Sequence, residues 1–419
     1  MGGLLHQSIA DTENHGNRGG VPQAELIRQL KERGITTVLG DGNPNAVARK
    51  YADIYYQVTH FDIDEVKDIA LKEKVDFILT VCADQVLLQV AEVSEMLGLP
   101  CYIDYKTAQD VSDKIRMKKI FKEIGVPTTD YVDSDHLDLE AISHLKYPLV
   151  VKPVDAYSSR GVRKAENEEE LKKFYSDARA ISRSGGVIVE EYFHGDEISV
   201  DAFVVNGKAK ILTISNSDKV KDNDRFVIFR GKYPVKASDV VLRKIEDIAQ
   251  KIADGFGLVN SPLLIQLLNN GDEVSVLEFC ARTGGSLKWL LIKYSCGVDV
   301  ISATIDITLG KEPDIEIKDT GHKIVVNDFL YCNPGVLDHY EGFEELVEKG
   351  IINGFYPLRN KGTQIKGITS SSDRVAGINI VADSVEEFNE KEKKILESAK
   401  ILDVNGRNLL RRELISGLT

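Results

Sequence analysis

The sequence predicts a protein of the α/β and α+β classes: an N-terminal doubly wound domain with a parallel sheet, followed by mostly antiparallel strands. In the first 110 residues, short aliphatic runs alternate with helical patterns, which is typical of a parallel sheet. After residue 112, pairs of strands joined by polar turns predominate. The chain has 419 residues, too many for one ordinary core, so we expect two or three domains.

The N-terminal elements follow from apolar periodicity and from glycine and proline positions. Residues 22–34 have the apolar spacing of a helix that begins near Pro22 and stops at Gly34. The runs ITTVLGD and VDFILT are predicted strands, and QVLLQVAEVSEMLG is a predicted helix. A first strand should precede this series, but residues 1–20 contain only a weak apolar stretch. That strand is therefore either replaced by an irregular segment or missing.

A glycine-rich run, GNRGG at residues 16–20, offers an alternative function. With Asp41 about twenty residues further on, it loosely resembles a dinucleotide-binding fingerprint. The glycine spacing is wrong and no clear strand precedes the run. A structural glycine turn is therefore favoured, and an NAD-dependent oxidoreductase is the least favoured function.

Composition excludes several classes of partner. The formal net charge is −13 and no long basic cluster is present, which disfavours nucleic acid. No apolar run approaches the ~18–20 residues needed to span a bilayer, and the N-terminus does not resemble a signal peptide. The five cysteines are scattered singly, without a CxxC pair, which fits a reducing compartment. We therefore expect a cytoplasmic protein that binds neither nucleic acid nor membrane.

The second region begins with a basic amphipathic helix, SDKIRMKKIFKEIG, that ends before Val-Pro. YPLVVKPVDAYSSRGVRKA predicts a strand, a turn and a strand, and VIVEEYFHGDEISVDAFVVNGK predicts two strands joined by a polar turn. PLLIQLL and EVSVLEFCAR form a predicted hairpin around NNGD. A further α+β segment begins near residue 313 and ends in a helix rich in Glu and Lys.

Charged side chains stand at the ends of otherwise apolar strands. Lys152 ends PLVVK, an unfavourable place for a cation unless an anion meets it, although a surface lysine is the alternative. Glu278 lies near the end of VSVLEF, where a carboxylate is costly without a cation. Glu278, Cys280 and Arg282 alternate onto one face of an extended chain, although a plain strand salt bridge would also explain the Glu and the Arg. A carboxylate on a metal beside a guanidinium is the arrangement that phosphoryl transfer requires.

Several motifs occur in a defined order: DK ending at Lys114, VVKP around Lys152, a Ser/Gly turn at 155–161, EEYFHGDE at 190–197, and EFCAR followed by two glycines. This ordered set resembles the ATP-grasp superfamily, in its carboxylate–amine ligase branch. L-amino-acid ligases and carbamoyl phosphate synthase large chains are the members that it resembles most. The resemblance implies a two-lobed ATP-grasp fold behind a Rossmann-like domain.

The same resemblance implies three segments. Residues 1–110 would be the Rossmann-like domain that precedes the grasp, with an atypical or missing first strand. Residues 111–312 would be the ATP-grasp domain, with a lid at about 147–205 that closes over ATP. Residues 313–419 would complete the ligase.

The resemblance also implies roles for individual residues, with ATP and Mg²⁺ as cofactors. The expected catalytic residues are Arg282 and Lys152. The expected nucleotide-binding residues are Lys114 and Lys152 on the phosphates, Ser158 and Ser159 in the turn, Glu190, the backbone of Glu191 and Phe193 at the base, and Glu197 at the ribose. The expected Mg²⁺ ligands are Gln266 and Glu278.

Two of these positions depart from the family pattern. Gln266 stands where the family often has a second acidic ligand, and Cys280 stands where it often has an asparagine. An amide oxygen supplies no charge and a thiol is a poor Mg²⁺ ligand, so we expect one of the two usual metal ions to be held weakly. For Cys280, a small buried residue is the favoured interpretation.

We therefore predict an ATP-dependent, ADP-forming ligase that activates a carboxylate as an acyl phosphate and couples it to an amine. The alternative is an ATP-binding protein with weakened or lost catalysis, which Gln266 motivates. The expected partners are a small-molecule carboxylate and amine, and a homodimer is left open.

Overall fold

Four β-sheets with flanking helices make up the described part of the chain. The computed structural model describes residues 2–6, 20–58, 62–156, 159–221, 226–415 and 418. Within these residues, no helix is both long enough and apolar enough to cross a membrane.

The N-terminal region is a four-stranded parallel sheet with helices packed on both faces. Its elements are β1 (Gly2–His6), α1 (Gly20–Glu32), β2 (Thr36–Gly40), β3 (Ile54–Tyr56), α2 (Ile63–Glu73), β4 (Phe77–Leu79), α3 (Asp84–Leu97) and α4 (Tyr105–Ser112). The strand order is β3-β2-β1-β4. Leu39 and Leu79 pack with α1 on one face, whereas Val38 and Ile78 pack with α2 and α3 on the other. The predicted doubly wound parallel sheet is thus confirmed.

The expectation that the first strand is replaced by an irregular segment or missing is wrong, because a regular strand is present. Gly2–His6 pairs in parallel with β2 on one side and with β4 on the other, so it lies inside the sheet. Two glycines in five residues give this strand a weak apolar pattern, which is why the sequence did not reveal it. Residues 16–19 of the GNRGG run lie outside the described residues, and Gly20 begins α1.

The next segment forms a small antiparallel sheet, called here the small lobe (residues 131–191). Its elements, with the helix that precedes it, are α5 (Lys114–Ile124), β5 (Tyr131–Ser134), α6 (Leu139–Ile142), β6 (Leu149–Pro153), β7 (Arg163–Ala165), α7 (Glu168–Ile181) and β8 (Val187–Glu191). The strand order is β5-β8-β6-β7. Leu149, Val151 and Val189 pack against Leu171 and Phe174 of α7, which fixes the lobe around one apolar core.

The chain then enters a larger antiparallel sheet. Its first elements are β9 (Asp196–Val205), β10 (Lys208–Lys219), β11 (Ile228–Tyr233), α8 (Asp239–Gly255), β12 (Ser261–Asn270), β13 (Glu273–Cys280), α9 (Lys288–Cys296) and α10 (Val300–Thr308). Val200 and Ile265 point to one face, where they pack on the apolar stripe of α8. Because strand side chains alternate, Glu197, Ser199 and Asp201 of β9 point to the opposite face. The predicted hairpin around NNGD is confirmed as β12 and β13.

The remaining elements extend this sheet and add a small one. They are β14 (Ile324–Leu330), β15 (Gly335–Glu341), α11 (Phe343–Glu348), β16 (Gly354–Pro357), β17 (Gln364–Ile365), β18 (Ala376–Ala382), α12 (Val385–Ser398) and β19 (Lys400–Asp403). The large sheet has the order β13-β12-β9-β10-β11-β14-β18-β16, and the small one β17-β15-β19. The segment does not end in the Glu/Lys-rich helix α12, because β19 follows it.

One sheet therefore joins residues before and after position 313. β11 pairs with β14 from Arg230↔Asp328 to Tyr233↔Val325. β8 and β9, which the sequence predicted as two strands around a polar turn, belong to different sheets, so residues 192–195 link the small lobe to the large sheet. The segment boundaries given by the sequence stay predictions.

Candidate functional site

A cavity lies between the small lobe and the large sheet, and most of the sequence-predicted site residues line it. The helix α5, the strands β6 and β8, the link at 192–195 and the strands β12 and β13 all contribute to its wall. The predicted residues on this wall are Lys114, Lys152, Ser159, Glu190, Glu191, Phe193, Glu197, Gln266 and Glu278. Residues from positions 114 to 278 thus meet at one place, because the two sheets close on each other.

The link between the two sheets forms one end of the cavity. The backbone N–H of Glu191 donates to Asp130 O at 3.0 Å and that of Tyr192 donates to Pro148 O at 3.0 Å. Both N–H groups are therefore used within the protein, and the residue that follows them in the link, Phe193, also lines the cavity. Gly195 brings the link against β12, since a Cβ at this position would lie 2.6 Å from Asn269 O. This close approach requires glycine.

Glu190 lies behind this end of the cavity, almost without exposure, between two lysines. Its Oε1 accepts a hydrogen bond from Lys152 Nζ at 2.6 Å, and its Oε2 lies 2.7 Å from Lys118 Nζ. Thr129 Oγ1 also donates to Oε2 at 3.1 Å. Burial alone would raise the pKa of Glu190, but the two ammonium groups outweigh it and lower the pKa to about 2. Glu190 is thus held as a carboxylate by protein cations.

Glu197 occupies the next position along the cavity, on β9. Its Oε1 accepts from Gln266 Nε2 at 3.1 Å and its Oε2 lies 2.8 Å from Lys219 Nζ. Lys219 itself lines the cavity, with its ammonium 5.2 Å from the centre of the Phe226 ring. The sequence analysis missed Lys219, which ends a long polar strand and had no motif to mark it.

The opposite end of the cavity carries Glu278 and Gln266. They are direct partners across the β12–β13 ladder, and such partners project to the same face of a sheet. Glu278 Oε2 lies 3.6 Å from Lys114 Nζ, which also donates to Ala156 O at 3.1 Å. Gln266 Nε2 donates to Glu197 Oε1, so the amide oxygen is the atom of Gln266 that could bind a cation. Cys280 also lines this end and is only half-buried, which differs from the buried position that the sequence favoured.

Arg282 is not among the residues that line the cavity. It follows the end of β13, is 7% exposed, and its Nη1 donates to Thr283 O at 2.8 Å. The expected alternation therefore places Glu278 and Cys280 on the wall but leaves Arg282 just beyond it. Ser158 lies outside the described residues. Ser159 Oγ donates to Phe226 O at 3.0 Å, which ties two loops together at the cavity edge.

A further cation, missed by the sequence analysis, reaches this edge from residues after 313. Arg374 donates from Nη1 to Ser286 Oγ at 2.9 Å and from Nη2 to Ile228 O at 3.3 Å. Its guanidinium lies 3.6 Å from the centre of the Phe329 ring. Ile228 lines the cavity, so Arg374 connects the cavity edge to the turn after Arg282. A lone arginine in a polar run gave the sequence analysis no reason to select it.

Among the described residues, no group of three or more His, Cys, Asp and Glu side chains converges on one point. The charged groups of the cavity still fit Mg²⁺ with ATP: two cavity-lining lysines for phosphate, and one carboxylate with one amide for a metal whose remaining ligands are phosphate oxygens.

Residues 145–288 match the family model of the ATP-grasp domain, a range that includes most of the cavity wall. The chain contains an ATP-grasp domain. The predicted resemblance to the ATP-grasp superfamily is confirmed, and the predicted cofactors, ATP and Mg²⁺, are those that such domains use.

Two relatives are similar to this chain over most of its length. The chain is 24% identical over 403 residues to the multifunctional protein ura1 of Schizosaccharomyces pombe, which covers 91% of this chain but only 17% of that protein. It is 22% identical over 320 residues to a carbamoyl-phosphate synthase of Methanobrevibacter smithii, covering 75% of this chain and 83% of that protein. The chain thus spans less than a fifth of the first relative and most of the second.

A solved structure shares the whole architecture. The L-amino acid ligase of Bacillus licheniformis superposes with a TM-score of 0.78 at 18% identity, over 96% of this chain and 98% of that one. At this identity the likeness establishes the fold. The predicted two-lobed ATP-grasp fold behind an N-terminal α/β sheet is confirmed.

Proposed function

We propose that this protein is an ATP-dependent, ADP-forming ligase that activates a carboxylate as an acyl phosphate and couples it to an amine. The observation that supports it best is the convergence of Lys114, Lys152, Gln266 and Glu278 on one cavity that also holds a strand link suited to a base. The carbamoyl-phosphate synthase among the relatives and the L-amino acid ligase of the same fold add support.

Each end of the cavity has its own task in this proposal. The carbonyl of Glu191 and the N–H of Phe193 bind the adenine edge, Glu197 accepts from the ribose hydroxyls, and Ser159 with its neighbour Ser158 borders the phosphates. Lys114 and Lys152 neutralise phosphate oxygens.

The reacting end depends on charge placed by this chain. Gln266 and Glu278 would hold Mg²⁺, which supplies positive charge to the β- and γ-phosphates when bound. Arg282 and Lys152 stabilise the charge that spreads over the transferred phosphoryl group. Arg282 must turn from Thr283 O towards the cavity to do so.

The protein needs no nucleophile of its own. A substrate carboxylate attacks the γ-phosphate, ADP leaves, and an amine then attacks the acyl carbon and displaces phosphate. The loops joined by Ser159 and Phe226 border the cavity, where they would keep water from the acyl phosphate. Positioning and electrostatics therefore account for the catalysis.

The segment division belongs to the same proposal. Residues 1–110 would precede the grasp, residues 111–312 would form it with a lid at about 147–205, and residues 313–419 would add Arg374. A small carboxylate and a small amine would be the partners, with a homodimer left open. The five cysteines are free thiols, which supports a cytoplasmic location.

The test is release of ADP and phosphate from MgATP with pooled small carboxylates and amines. Release should depend on one carboxylate together with one amine, and Lys152→Ala should lower it by about 100-fold or more, because a charge on the transferred group is lost. Lys122→Ala is the matched control, since Lys122 lies on α5 but outside the cavity and is half-exposed. Release that needs no carboxylate, or equal losses in both variants, would contradict the proposal.

A second candidate is an ATP-binding protein with weakened catalysis, and Gln266 is the observation that favours it. Gln266→Glu places a second carboxylate beside Glu278 and also beside Glu197. If the metal site is merely weak, Gln266→Glu should turn over faster at low Mg²⁺. Gln250→Glu, on α8 and not among the residues that line the cavity, should not. If neither the wild type nor Gln266→Glu turns over ATP although both bind it, an ATP-binding protein that has lost catalysis would be favoured.

A further inference from the structure

Lys118 is a buried lysine that the proposed reaction does not use. It lies one helical turn after Lys114 on α5 and is 1% exposed. Its ammonium lies 2.7 Å from Glu190 Oε2 and donates to Thr128 Oγ1 at 2.8 Å. Lysines are almost never buried this completely unless they are paired, so the contact with Glu190 explains why this one is tolerated.

Glu190 therefore has two cationic partners for one negative charge. Lys152 Nζ contacts one carboxylate oxygen at 2.6 Å and Lys118 Nζ contacts the other. One pairing would be enough to neutralise the carboxylate. Burial lowers the pKa of Lys118, and the carboxylate of Glu190, 2.7 Å away, opposes that effect.

The two lysines differ in what they can reach. Lys152 lines the cavity, whereas Lys118 does not, and lies on the side of Glu190 that faces Thr128. Lys152 is the lysine expected to bind phosphate, yet its ammonium is held by Glu190 in this structure. A bound phosphate would compete with Glu190 for the Lys152 ammonium, which weakens the contact between Lys152 and Glu190. With no other cation present, the loss of that contact would leave a buried carboxylate unpaired, which is strongly unfavourable.

We propose that Lys118 is the counter-ion that keeps Glu190 neutralised while Lys152 turns to the triphosphate. Lys118 is then a positioning residue, which acts on nucleotide binding through Glu190 and Lys152 without touching the nucleotide. This inference rests on the proposed function only in taking ATP as the ligand.

The test compares ATP with adenosine, which has no phosphate, in calorimetric titrations of the full-length protein. Lys118→Met should weaken ATP binding by about 10- to 100-fold, because Lys152 is then the one cation that contacts a buried carboxylate. Adenosine binding should stay within about twofold of wild type, because the base and ribose contacts are not changed.

A double variant separates this mechanism from a packing defect. In Lys118→Met with Glu190→Gln, no carboxylate remains to hold Lys152, so ATP affinity should return to within about threefold of the Glu190→Gln single variant. Lys119→Met is the matched control, since Lys119 is the next residue on α5 and is exposed. Thermal unfolding of each variant shows whether the fold is retained.

Three outcomes would overturn the inference: unchanged ATP affinity in Lys118→Met, a parallel loss of adenosine affinity, or no recovery in the double variant. These titrations need no turnover. A protein that binds ATP but ligates nothing would therefore contradict the proposed function and still leave the role of Lys118 measurable.

Discussion

The two ends of the cavity hold their carboxylates in opposite ways. At the base end, the Glu190 side chain is 3% exposed and contacts two lysines at 2.6 and 2.7 Å. At the metal end, the Glu278 side chain is 35% exposed and its nearest cation, Lys114, lies 3.6 Å away. The protein neutralises the first carboxylate completely and leaves the second available. A site that is prepared for a ligand should show this asymmetry, because a carboxylate that binds a ligand must not already be neutralised by side chains of the protein.

The largest effect is expected from removing the available charge. Glu278→Gln should lower ADP formation by about 100- to 1,000-fold, because one of the two proposed metal ligands loses its charge. The free energy of unfolding should change little, since Glu278 has only a distant ion pair. Steady-state ADP release and urea unfolding measure the two. Glu273→Gln, on the same strand but exposed, is the control; normal turnover in Glu278→Gln would remove Glu278 from the metal site.

At the base end, removal of the Glu190 carboxylate should lower the stability of the folded protein. The folded pKa of Glu190, about 2, lies below the ordinary value of 4.5, so its contribution is present above pH 4.5 and is lost as the pH falls towards 2. This difference corresponds to about 3 kcal/mol at neutral pH. Glu190→Gln should remove that amount and flatten the acid limb of the stability profile. Urea unfolding from pH 7 to pH 2 measures it.

Glu191→Gln is the control for this profile, because Glu191 ends the same strand with one hydrogen bond from Lys146 N. Equal acid limbs in wild type and Glu190→Gln would mean that the two lysines do not stabilise the folded state through this carboxylate.

Glu197 lies between the two extremes, and a smaller change there sharpens the comparison. Its carboxylate is paired with Lys219 but borders the cavity. Glu197→Gln should weaken ATP binding by about tenfold, the value of one hydrogen bond to a charged group. Binding of 2′-deoxy-ATP should weaken less, because one ribose hydroxyl is absent. Asp196→Asn, exposed and adjacent, is the control; equal losses for both nucleotides would exclude a contact with the 2′-hydroxyl.

The smallest effect is expected at the loops that border the cavity. Ser159→Ala removes one hydrogen bond, to Phe226 O, and should raise the KM for ATP by about 2- to 10-fold. Ser143→Ala removes a similar bond, to Glu140 O, from the same lobe but away from the cavity. Initial rates over a range of ATP concentrations measure both. A KM that rises equally in the two variants would show that the loop contact has no special part in binding.

The sequence predicted the elements that are defined by glycine and proline positions and by the periodicity of apolar residues. The hairpin at Gly271 and the helix α5, which ends just before Gly125, appear where the glycines placed them. The order of motifs also predicted that Lys152 and Glu278 meet in the cavity. Each is a charged residue in an otherwise apolar strand, and such a residue can be recognised in the sequence alone. Their roles stay predictions.

The sequence could not predict features that depend on tertiary packing, such as the burial of one lysine rather than its neighbour. Five basic residues lie on α5, and nothing in their order distinguishes Lys118, which is buried, from Lys119, which is exposed. The strand β1 was missed because it is stabilised by two neighbouring strands rather than by its own composition. Arg282 was placed on the cavity wall by extending strand alternation past Cys280, where the strand ends.

The eight-stranded sheet has a practical consequence for handling this protein. A truncation after residue 312 would remove β14 and turn β11 into an exposed edge with unpaired backbone N–H and C=O groups, which invites aggregation. It would also leave Arg230 without its acidic partners, because Asp328 and Glu392 both belong to the removed segment. Arg230 is only 1% exposed in the full chain. The last hundred residues are therefore not a detachable tail, and a fragment that ends at the grasp should be an insoluble one.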